Sequence, residues 1–422
     1  MSDSFAKIPP TWEATRLDRV ATVNARIGWK ALTAAEYRPD GYAFLATPNI
    51  KGVEIDFENV NYISDFRYRE SPELQLREGD VLLTKDGFTL GTVNVVTKLP
   101  RPATVNGSIA VLRPFGMHPA FLRYAIASTA IQQHMWAAKN GMDVLHLFQR
   151  DIKKIPLPSP PIEEQRRIAD FLDAETARID RLCGLDDKLL GLLAERRQAV
   201  IDHEINSSSD SLVKLFWRLS LLRDGTHQPP RRVDAGVPLL TARNVSSGKV
   251  QLTEMDTQVS ERDAELLEKS IRLTAGDVLL SVKGTIGACA VTPTDFPRAV
   301  LDRNVALLRP AAAYSSNWLA YVLRSTSLQQ QMRTSVTAAA QPGLPLGAIR
   351  ELRVPDVTSG AQGAIVSRIS AACNGIDRIV AQVQRKKLIL RERRQALITA
   401  AVTGQFDVST ASGRNVTDGV HP

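Results

Sequence analysis

The feature that most constrains this chain is an internal duplication that runs through most of its 422 residues. The pentapeptide GDVLL occurs at 79–83 and again at 276–280. With the same offset of 197 residues, FLRYAIASTAIQQHM at 121–135 matches WLAYVLRSTSLQQQM at 318–332. Two shorter segments recur at that offset: IDR at 179–181 and 376–378, and ERRQA at 195–199 and 392–396. One offset held across four segments indicates a tandem duplication, and a copy of about 200 residues is too long for a solenoid repeat.

The first part of each copy predicts a mixed domain. Short apolar, β-rich runs alternate with Gly, Pro and Asn, a pattern typical of strands joined by turns. These runs are DVLLT at 80–84, SIAVLRP at 108–114, DVLLSV at 277–282 and NVALLRP at 304–310. The recurring segment that follows predicts one helix in each copy, around 118–138 and 315–333.

The second part of each copy predicts one long helix. No proline interrupts residues 162–205 or 362–402, and apolar residues recur at alternating steps of four and three, the period of a coiled coil. The predicted seam is Ile168, Leu172, Ile179, Leu182, Leu189, Leu193 and Val200 in the first helix, and Ile365, Ile369, Ile376, Ile379, Val383, Leu390 and Leu397 in the second. Polar residues interrupt both rows: Glu175, Asp186, Arg196 and His203, then Lys386 and Arg393.

A narrow seam requires a partner, and the simplest partner is the seam of the other copy. We therefore predict an α+β fold, in which two mixed α/β globular domains related by tandem duplication are joined by two long helices. The helices pair as an antiparallel coiled coil with pseudo-two-fold symmetry. The predicted boundaries are 1–158 and 208–358 for the domains, 159–207 and 359–403 for the helices, and 404–422 for a disordered tail. The alternative is that each helix packs on its own domain as a core helix.

Charge and cysteine content narrow the function. The net charge is +8 and the pI about 9.4, which favours polyanionic partners. Cys183, Cys289 and Cys373 form no CxxC pair, so neither a zinc site nor a disulfide framework is indicated. The first residues lack an apolar leader, and no run approaches the roughly 18 apolar residues of a membrane span. We expect a cytoplasmic protein with no membrane partner.

The sequence lacks the motifs of the main enzyme classes. It has no GxxxxGK[ST] phosphate loop, no GxGxxG, no HExxH and no GxSxG. KGTIG at 283–287 follows a strand but lacks the downstream Lys-Ser/Thr, so we interpret it as a turn. These absences favour a binding protein over an enzyme, with no catalytic residue, metal or cofactor in this chain.

Several segments resemble the specificity subunits of type I restriction-modification systems. IPLPSPPIEEQRRIADFLDAETARIDRL at 155–182 is similar to the stretch that joins the first target-recognition domain of that family to its central conserved helix. RIGWKALTAAEY at 26–37, DGTHQPP at 224–230 and the GDVLL and KGTIG pair at 276–287 are similar to motifs of its recognition domains. In the second copy, PPxxEQ is eroded and only Pro355 and Gln362 persist at the matching offset.

The resemblance implies a non-catalytic subunit that binds double-stranded DNA. Each domain of such a protein reads one half of a bipartite target, and the helical pair sets the spacing of the halves. Two methyltransferase subunits then methylate adenine N6, and restriction and motor subunits join the complex. S-adenosylmethionine, ATP and Mg²⁺ are expected on those partners. The competing hypothesis is a coiled-coil scaffold with two ligand-binding heads unrelated to DNA.

Basic residues near turns are the candidates for DNA contacts, because Arg and Lys bind phosphates and guanine edges. In the first copy they are Arg26, Lys30, Lys51, Arg67, Arg69 and Lys85; in the second they are Arg223, His227, Arg231, Arg232, Arg243 and Lys283. Trp29 beside the first pair suits packing or stacking. Glu163, Glu164, Gln165 and Arg166 begin the first long helix, where helix capping and contact with a partner subunit are both open.

Overall fold

The computed structural model describes residues 8–25, 32–139, 145–226, 230–245, 248–336 and 342–408. The chain forms two compact units. The first unit comprises Met1–Asp186 together with Arg385–Pro422, and the second comprises Asp187–Gln384. The first unit therefore contains the end of the second long helix. The domain boundaries proposed above stay a prediction.

The first copy contributes the following elements in chain order. Its strands are β1 Glu13–Arg16, β2 Ala21–Asn24, β3 Tyr42–Leu45, β4 Asn61–Ile63, β5 Val81–Thr84, β6 Val93–Val95, β7 Ala103–Val105, β8 Ile109–Pro114 and β9 Pro156–Ser159. Its helices are α1 Asp65–Arg69, α2 Pro119–Ala127, α3 Thr129–Ala138, α4 Gln149–Lys153 and α5 Ile162–Asn206.

The second copy repeats this order with small changes. Its strands are β10 Leu212–Lys214, β11 Leu219–Asp224, β12 Arg232–Val233, β13 Val237–Leu240, β14 Gln258–Val259, β15 Val278–Ser281, β16 Cys289–Val291, β17 Val300–Leu301, β18 Val305–Pro310 and β19 Arg353–Pro355. Its helices are α6 Ala242–Val245, α7 Glu261–Glu268, α8 Ser316–Arg324, α9 Thr326–Thr334, α10 Leu346–Glu351 and α11 Ser359–Val402.

In both units a four-stranded antiparallel sheet forms the middle layer. The strand order is β2-β8-β5-β6 in the first unit and β11-β18-β15-β16 in the second. Val81 and Leu83 of β5 pack on the helical side, whereas Leu82 packs against the smaller sheet β4-β3-β7. Strands covered on both faces are continuously apolar, which is why the Val-Leu-Leu of GDVLL is apolar in both copies.

The helix predicted late in each copy is two helices, so that prediction was wrong. The break falls at Ser128 between α2 and α3, and at Ser325 between α8 and α9. Both serines have extended backbone, and their hydroxyls donate to the carbonyls of Ala125 and Val322 at 2.6 and 2.7 Å. Serine favours such a junction, because it adopts the non-helical conformation of an N-cap.

The two long helices are confirmed as α5 and α11. In the first unit, Asp180 pairs with Arg394 at 3.5 Å and Asp186 with Lys386 at 2.9 Å, so the two segments run antiparallel. In the second unit, Arg197 pairs with Asp377. The IDR motif of each copy therefore contacts the ERRQA motif of the other copy, which explains why both motifs occur twice.

The buried row of each helix follows the predicted seam with local shifts. In the first helix Ile168, Leu172, Ile179 and Leu193 are buried; in the second, Ile365, Ile369, Ile376, Val383 and Leu397 are buried. Leu182, Val200 and Leu390 are half-buried. The prediction differs from the structure at Leu189 and Ile379, which are 39% and 44% exposed. There the inward position falls one residue later, on the half-buried Leu190 and Val380.

Each hydrophobic core is completed by the end of a long helix from the other copy. Leu397, Ile398, Ala401 and Val402 of α11 belong to the main core of the first unit, beside Ile168 of α5. Ile201 and Ile205 of α5 belong to the main core of the second unit, beside Ile369 of α11. Each helix thus packs on its own domain with its first turns and on the other copy with its last turns.

Candidate functional site

The loops that carry several candidate residues meet at one edge of the central sheet. In the first unit β2 and β5 end there and β8 begins there, because Asn24 pairs with Val111 and Thr84 with Ile109. The loop 85–92 is joined to the segment 145–148 by backbone bonds of 2.8 Å from Gly87 N to Leu145 O and from Leu147 N to Lys85 O. We call these two segments the loop edge of the first unit.

The second unit has an equivalent loop edge, formed by residues 282–287 and 342–345. β11 and β15 end there, since Asp224 pairs with Ala306 and Ser281 with Val305. Leu344 N donates to Val282 O at 2.9 Å, as Leu147 does to Lys85 in the first unit. The duplication has therefore preserved a matched surface in both units.

Lys85 lies at the loop edge but is 7% exposed. Its ammonium group donates to Asp86 at 2.9 Å, and Asp86 also contacts His146 Nδ1. The three side chains fasten the loop 85–92 to the segment 145–148. A DNA contact by Lys85 stays a prediction, and it would require the ammonium to leave Asp86.

The other candidates of the first unit lie on different elements. Arg67 on α1 is held by Glu36 at 2.8 Å and Glu70 at 3.0 Å, and Arg69 pairs with Asp65 at 2.9 Å. Lys51 is exposed and lines a separate cleft of about 370 Å³ against α2, α5 and α11. Arg26, Trp29 and Lys30 lie outside the described residues.

Two candidates of the second unit lie at or beside its loop edge. Arg223 is exposed on β11, one residue before the strand ends. The backbone of Lys283 pairs with that of Gly343 in an isolated antiparallel β-bridge. Arg231 and Arg232 are exposed next to β14, while Arg243 lies exposed on α6. His227 lies outside the described residues. DNA contact by these residues stays a prediction.

The sequence interpretation missed an aromatic group at the loop edge of the first unit. Phe88 follows the turn glycine Gly87 and is 93% exposed. Phe148 contacts His146 edge-on at 4.5 Å between ring centroids, and the Arg150 guanidinium lies over the Phe148 ring at 4.8 Å. A phenylalanine directly after Lys-Asp-Gly was the available sequence signal, since turn tips are normally polar.

A buried glutamine fixes each domain on its long helix. Gln165 is 2% exposed; its Oε1 accepts from His118 N at 2.8 Å and its Nε2 donates to Pro160 O at 2.8 Å. Gln362, 1% exposed, makes the same bonds with Ser315 N and Val357 O, each at 2.8 Å. This geometry supplies a structural reason for the persistence of the glutamine where the rest of PPxxEQ is eroded.

Further side chains tie α2 to α5. The Tyr124 hydroxyl donates to Asp173 at 2.6 Å and contacts Thr176 at 3.0 Å. Burial raises the pKa of Tyr124 to about 12, so the phenol stays protonated. Tyr321 contacts Ser370 at 3.1 Å in the second unit.

The ends of the long helices cap the helix that follows each serine break. In the first unit Thr399 Oγ1 accepts from Thr129 N at 3.0 Å, and Gln395 donates to Ala127 O at 2.8 Å. In the second unit Asp202 accepts from Thr326 N at 2.7 Å, and Gln198 donates to Arg324 O at 3.0 Å. A helix N-terminus has unpaired N–H groups, and these contacts satisfy one of them in each unit.

Within the described ranges, no group of three His, Cys, Asp or Glu residues could hold a metal ion. The three cysteines are free, and burial raises the pKa of Cys289 and Cys373. The described helices include none that is long and apolar enough to cross a membrane.

The chain is similar to proteins of type I restriction systems. Residues 9–186 match the family described as type I restriction modification DNA specificity domain. The Escherichia coli K12 type I restriction enzyme EcoKI specificity subunit is 21% identical over 293 residues, which cover 66% of this chain and 62% of that subunit. The putative MjaX specificity subunit of Methanocaldococcus jannaschii is 20% identical, with 96% of both chains covered.

Two solved structures share the fold. One, from a study of complex assembly and conformational transition of the type I R-M system, has a TM-score of 0.72 at 18% identity, covering 95% of this chain and 100% of that one. The HsdS subunit from Thermoanaerobacter tengcongensis has a TM-score of 0.52 at 18% identity, covering 96% of this chain and 100% of that one.

Proposed function

We propose that the chain is a specificity subunit of a type I restriction-modification system, the family that its sequence resembles, and that it reads a bipartite DNA sequence. Each unit recognises one half of the target. The chain itself has no catalytic role and no cofactor, and it directs the enzymes that modify or cut the DNA.

The observation that carries this proposal is the matched pair of loop edges. Both units place loops at the same edge of the same sheet, and each loop edge has its own side chains: Lys85, Phe88 and His146 in the first, Lys283 and Thr285 in the second. A conserved frame with different surface residues suits a protein whose two halves read different base sequences. The net charge of +8 adds the attraction to phosphates that DNA binding requires.

The partners follow from the family. Two methyltransferase subunits methylate adenine N6 in the two half-sites, with S-adenosylmethionine bound to them. Restriction and motor subunits supply ATP and Mg²⁺ chemistry, and the complex acts on double-stranded DNA in the cytoplasm. The exposed flanks of α5 and α11 are the surfaces we assign to the methyltransferases, because their opposite flanks are buried within the units.

A genome-wide map of methyladenine, with and without this gene, tests the proposal. We expect one split motif, two short halves around a fixed gap, to lose methylation when the gene is deleted. Restoring the gene should restore the motif. An unchanged methylome in a host that expresses intact methyltransferase partners would contradict the proposal.

A direct binding assay separates DNA reading from the scaffold hypothesis. A protein that neutralises several phosphates loses DNA affinity steeply as salt rises, by roughly a thousandfold or more between 50 and 200 mM for six or more contacts. The scaffold hypothesis predicts no preference for the split motif over an unrelated duplex at any salt concentration.

A further inference from the structure

The loop edge of the first unit presents an apolar side chain that is almost fully exposed. Phe88 is 93% exposed, the largest exposed fraction among the large apolar side chains of the described residues. A single exposed aromatic residue is ordinary on a protein surface. Phe88 differs because of the loop that carries it and the residues beside it.

The loop beneath Phe88 is fixed on both sides. Gly87 has φ +82° and donates to Leu145 O at 2.8 Å, which sets the turn immediately before Phe88. Asp86 holds Lys85 at 2.9 Å and also contacts His146. A side chain held out by a fixed loop loses little conformational freedom when it binds, so its apolar surface is available for affinity.

The neighbouring residues add a cation and a second ring. Phe148 and Arg150 follow His146 on the segment that Asp86 and Gly87 hold, and the Arg150 side chain is 73% exposed. Arginine beside aromatic rings suits nucleic acid, because the guanidinium binds phosphate while the apolar group reaches the bases. An apolar partner surface alone would not require the cation.

The second unit lacks this group. The loop of the second unit is one residue shorter: Gly284 matches Gly87, Thr285 matches Thr89, and Phe88 has no counterpart. The segment equivalent to 146–148 is Gly343, Leu344 and Pro345, with the backbone of Gly343 paired with that of Lys283. Gly284 keeps the positive φ of +74°, so the turn is preserved while the aromatic residue is not. The two loop edges therefore present different side chains on the same turn.

On the basis of the proposed function, we propose that Phe88 is a specificity-determining residue that makes an apolar contact with a base of the half-site read by the first unit. The contact is with a thymine methyl group in the major groove or with a base step that the ring partly unstacks. Arg150 anchors the adjacent phosphate. The half-site read by the second unit has no such contact.

The test uses the full chain in complex with its methyltransferase subunits and a labelled duplex that carries the methylated motif found in the host. We expect Phe88→Ala to weaken binding to this duplex roughly five- to tenfold, the cost of one base contact, and to leave an unrelated duplex unaffected. Phe115→Ala is the matched control, because Phe115 is exposed at the opposite edge of the same sheet, after β8. Both variants should fold as the wild type does, since neither ring is buried.

Base substitutions locate the contact. At one base pair, in one half-site only, the wild type should bind the native base more tightly than its substitutes. This preference should disappear in Phe88→Ala. Replacing thymine there by deoxyuridine should cost the wild type the same factor if the methyl is contacted. A 2-aminopurine signal that rises with the wild type but not with Phe88→Ala identifies unstacking instead.

Equal affinities of Phe88→Ala and Phe115→Ala for the motif duplex would overturn the inference, as would an equal loss on the unrelated duplex. Such results leave the proposed function intact. A wild-type complex that shows no preference for the split motif would overturn both.

Discussion

Replacing Gln165 by alanine removes the two hydrogen bonds that join the start of α2 to the start of α5. The N–H of His118 and the carbonyl of Pro160 then lose their partner at a position where the side chain was 2% exposed. Gln362→Ala removes the equivalent bonds from Ser315 and Val357 in the second unit. Each variant is therefore the matched control of the other.

The magnitude follows from the geometry. Each variant leaves one half-buried donor and one buried acceptor unpaired, and an unsatisfied buried group costs about 1–3 kcal/mol. We expect a total loss of about 2–4 kcal/mol, because water can enter part of the space that the glutamine leaves. At 1.4 kcal/mol per factor of ten, local opening should become at least about twentyfold more frequent.

Hydrogen exchange resolved by residue measures this opening at the two amides concerned. Gln165→Ala should lose protection at His118 while Ser315 keeps it, and Gln362→Ala should show the reverse. Circular dichroism of each variant provides the control for overall folding.

Wild-type protection at both amides in both variants would refute the reasoning. The two glutamines would then not control the opening of these amides, and contact with a partner subunit would remain as the alternative role of Gln165. Loss of protection at both sites in either single variant would also contradict it, since the bonds of each glutamine lie within one unit.

Three other substitutions test the helix contacts. Lys386→Ala leaves the carboxylate of Asp186, which is 5% exposed, without its 2.9 Å partner. Because Lys386 is itself half-exposed, we expect the free energy of unfolding in denaturant titrations to fall by only about 2 kcal/mol. Asp186→Leu combined with Lys386→Leu should recover the lost stability, and no recovery would argue against the pairing. Asp202→Ala should cost about 1 kcal/mol, the value of an N-cap, with faster exchange at Thr326 N but unchanged exchange at Thr129 N. The Arg368 guanidinium lowers the pKa of Glu204. This pair therefore stabilises the fold above the usual glutamate pKa, and the stability is lost as the pH falls through the lowered pKa. Arg368→Gln should abolish this part of the acid dependence of unfolding, and an unaltered acid titration would contradict the assignment.

The sequence predicted the elements well, because element formation depends on local chemistry. The absence of proline and the four-and-three spacing predicted α5 and α11 to within a few residues at each end. The runs DVLLT at 80–84 and DVLLSV at 277–282 predicted a strand in each copy, and both strands are found. The duplication itself required no structure, since a constant offset is visible in the letters alone.

The tertiary structure decided which surfaces meet. Thr129 and Thr399, which are hydrogen-bonded to each other, are 270 positions apart. The periodicity of a helix predicts which of its faces is buried but not what that face packs against. Lys85 looked like a free cation, but its neighbour Asp86, which also contacts His146 60 positions away, holds the ammonium group. Gln165 looked like a helix-capping residue, but its buried side chain accepts from His118 N, 47 positions away. Local sequence determines what a segment becomes, whereas the availability of a side chain depends on residues brought to it from distant parts of the chain.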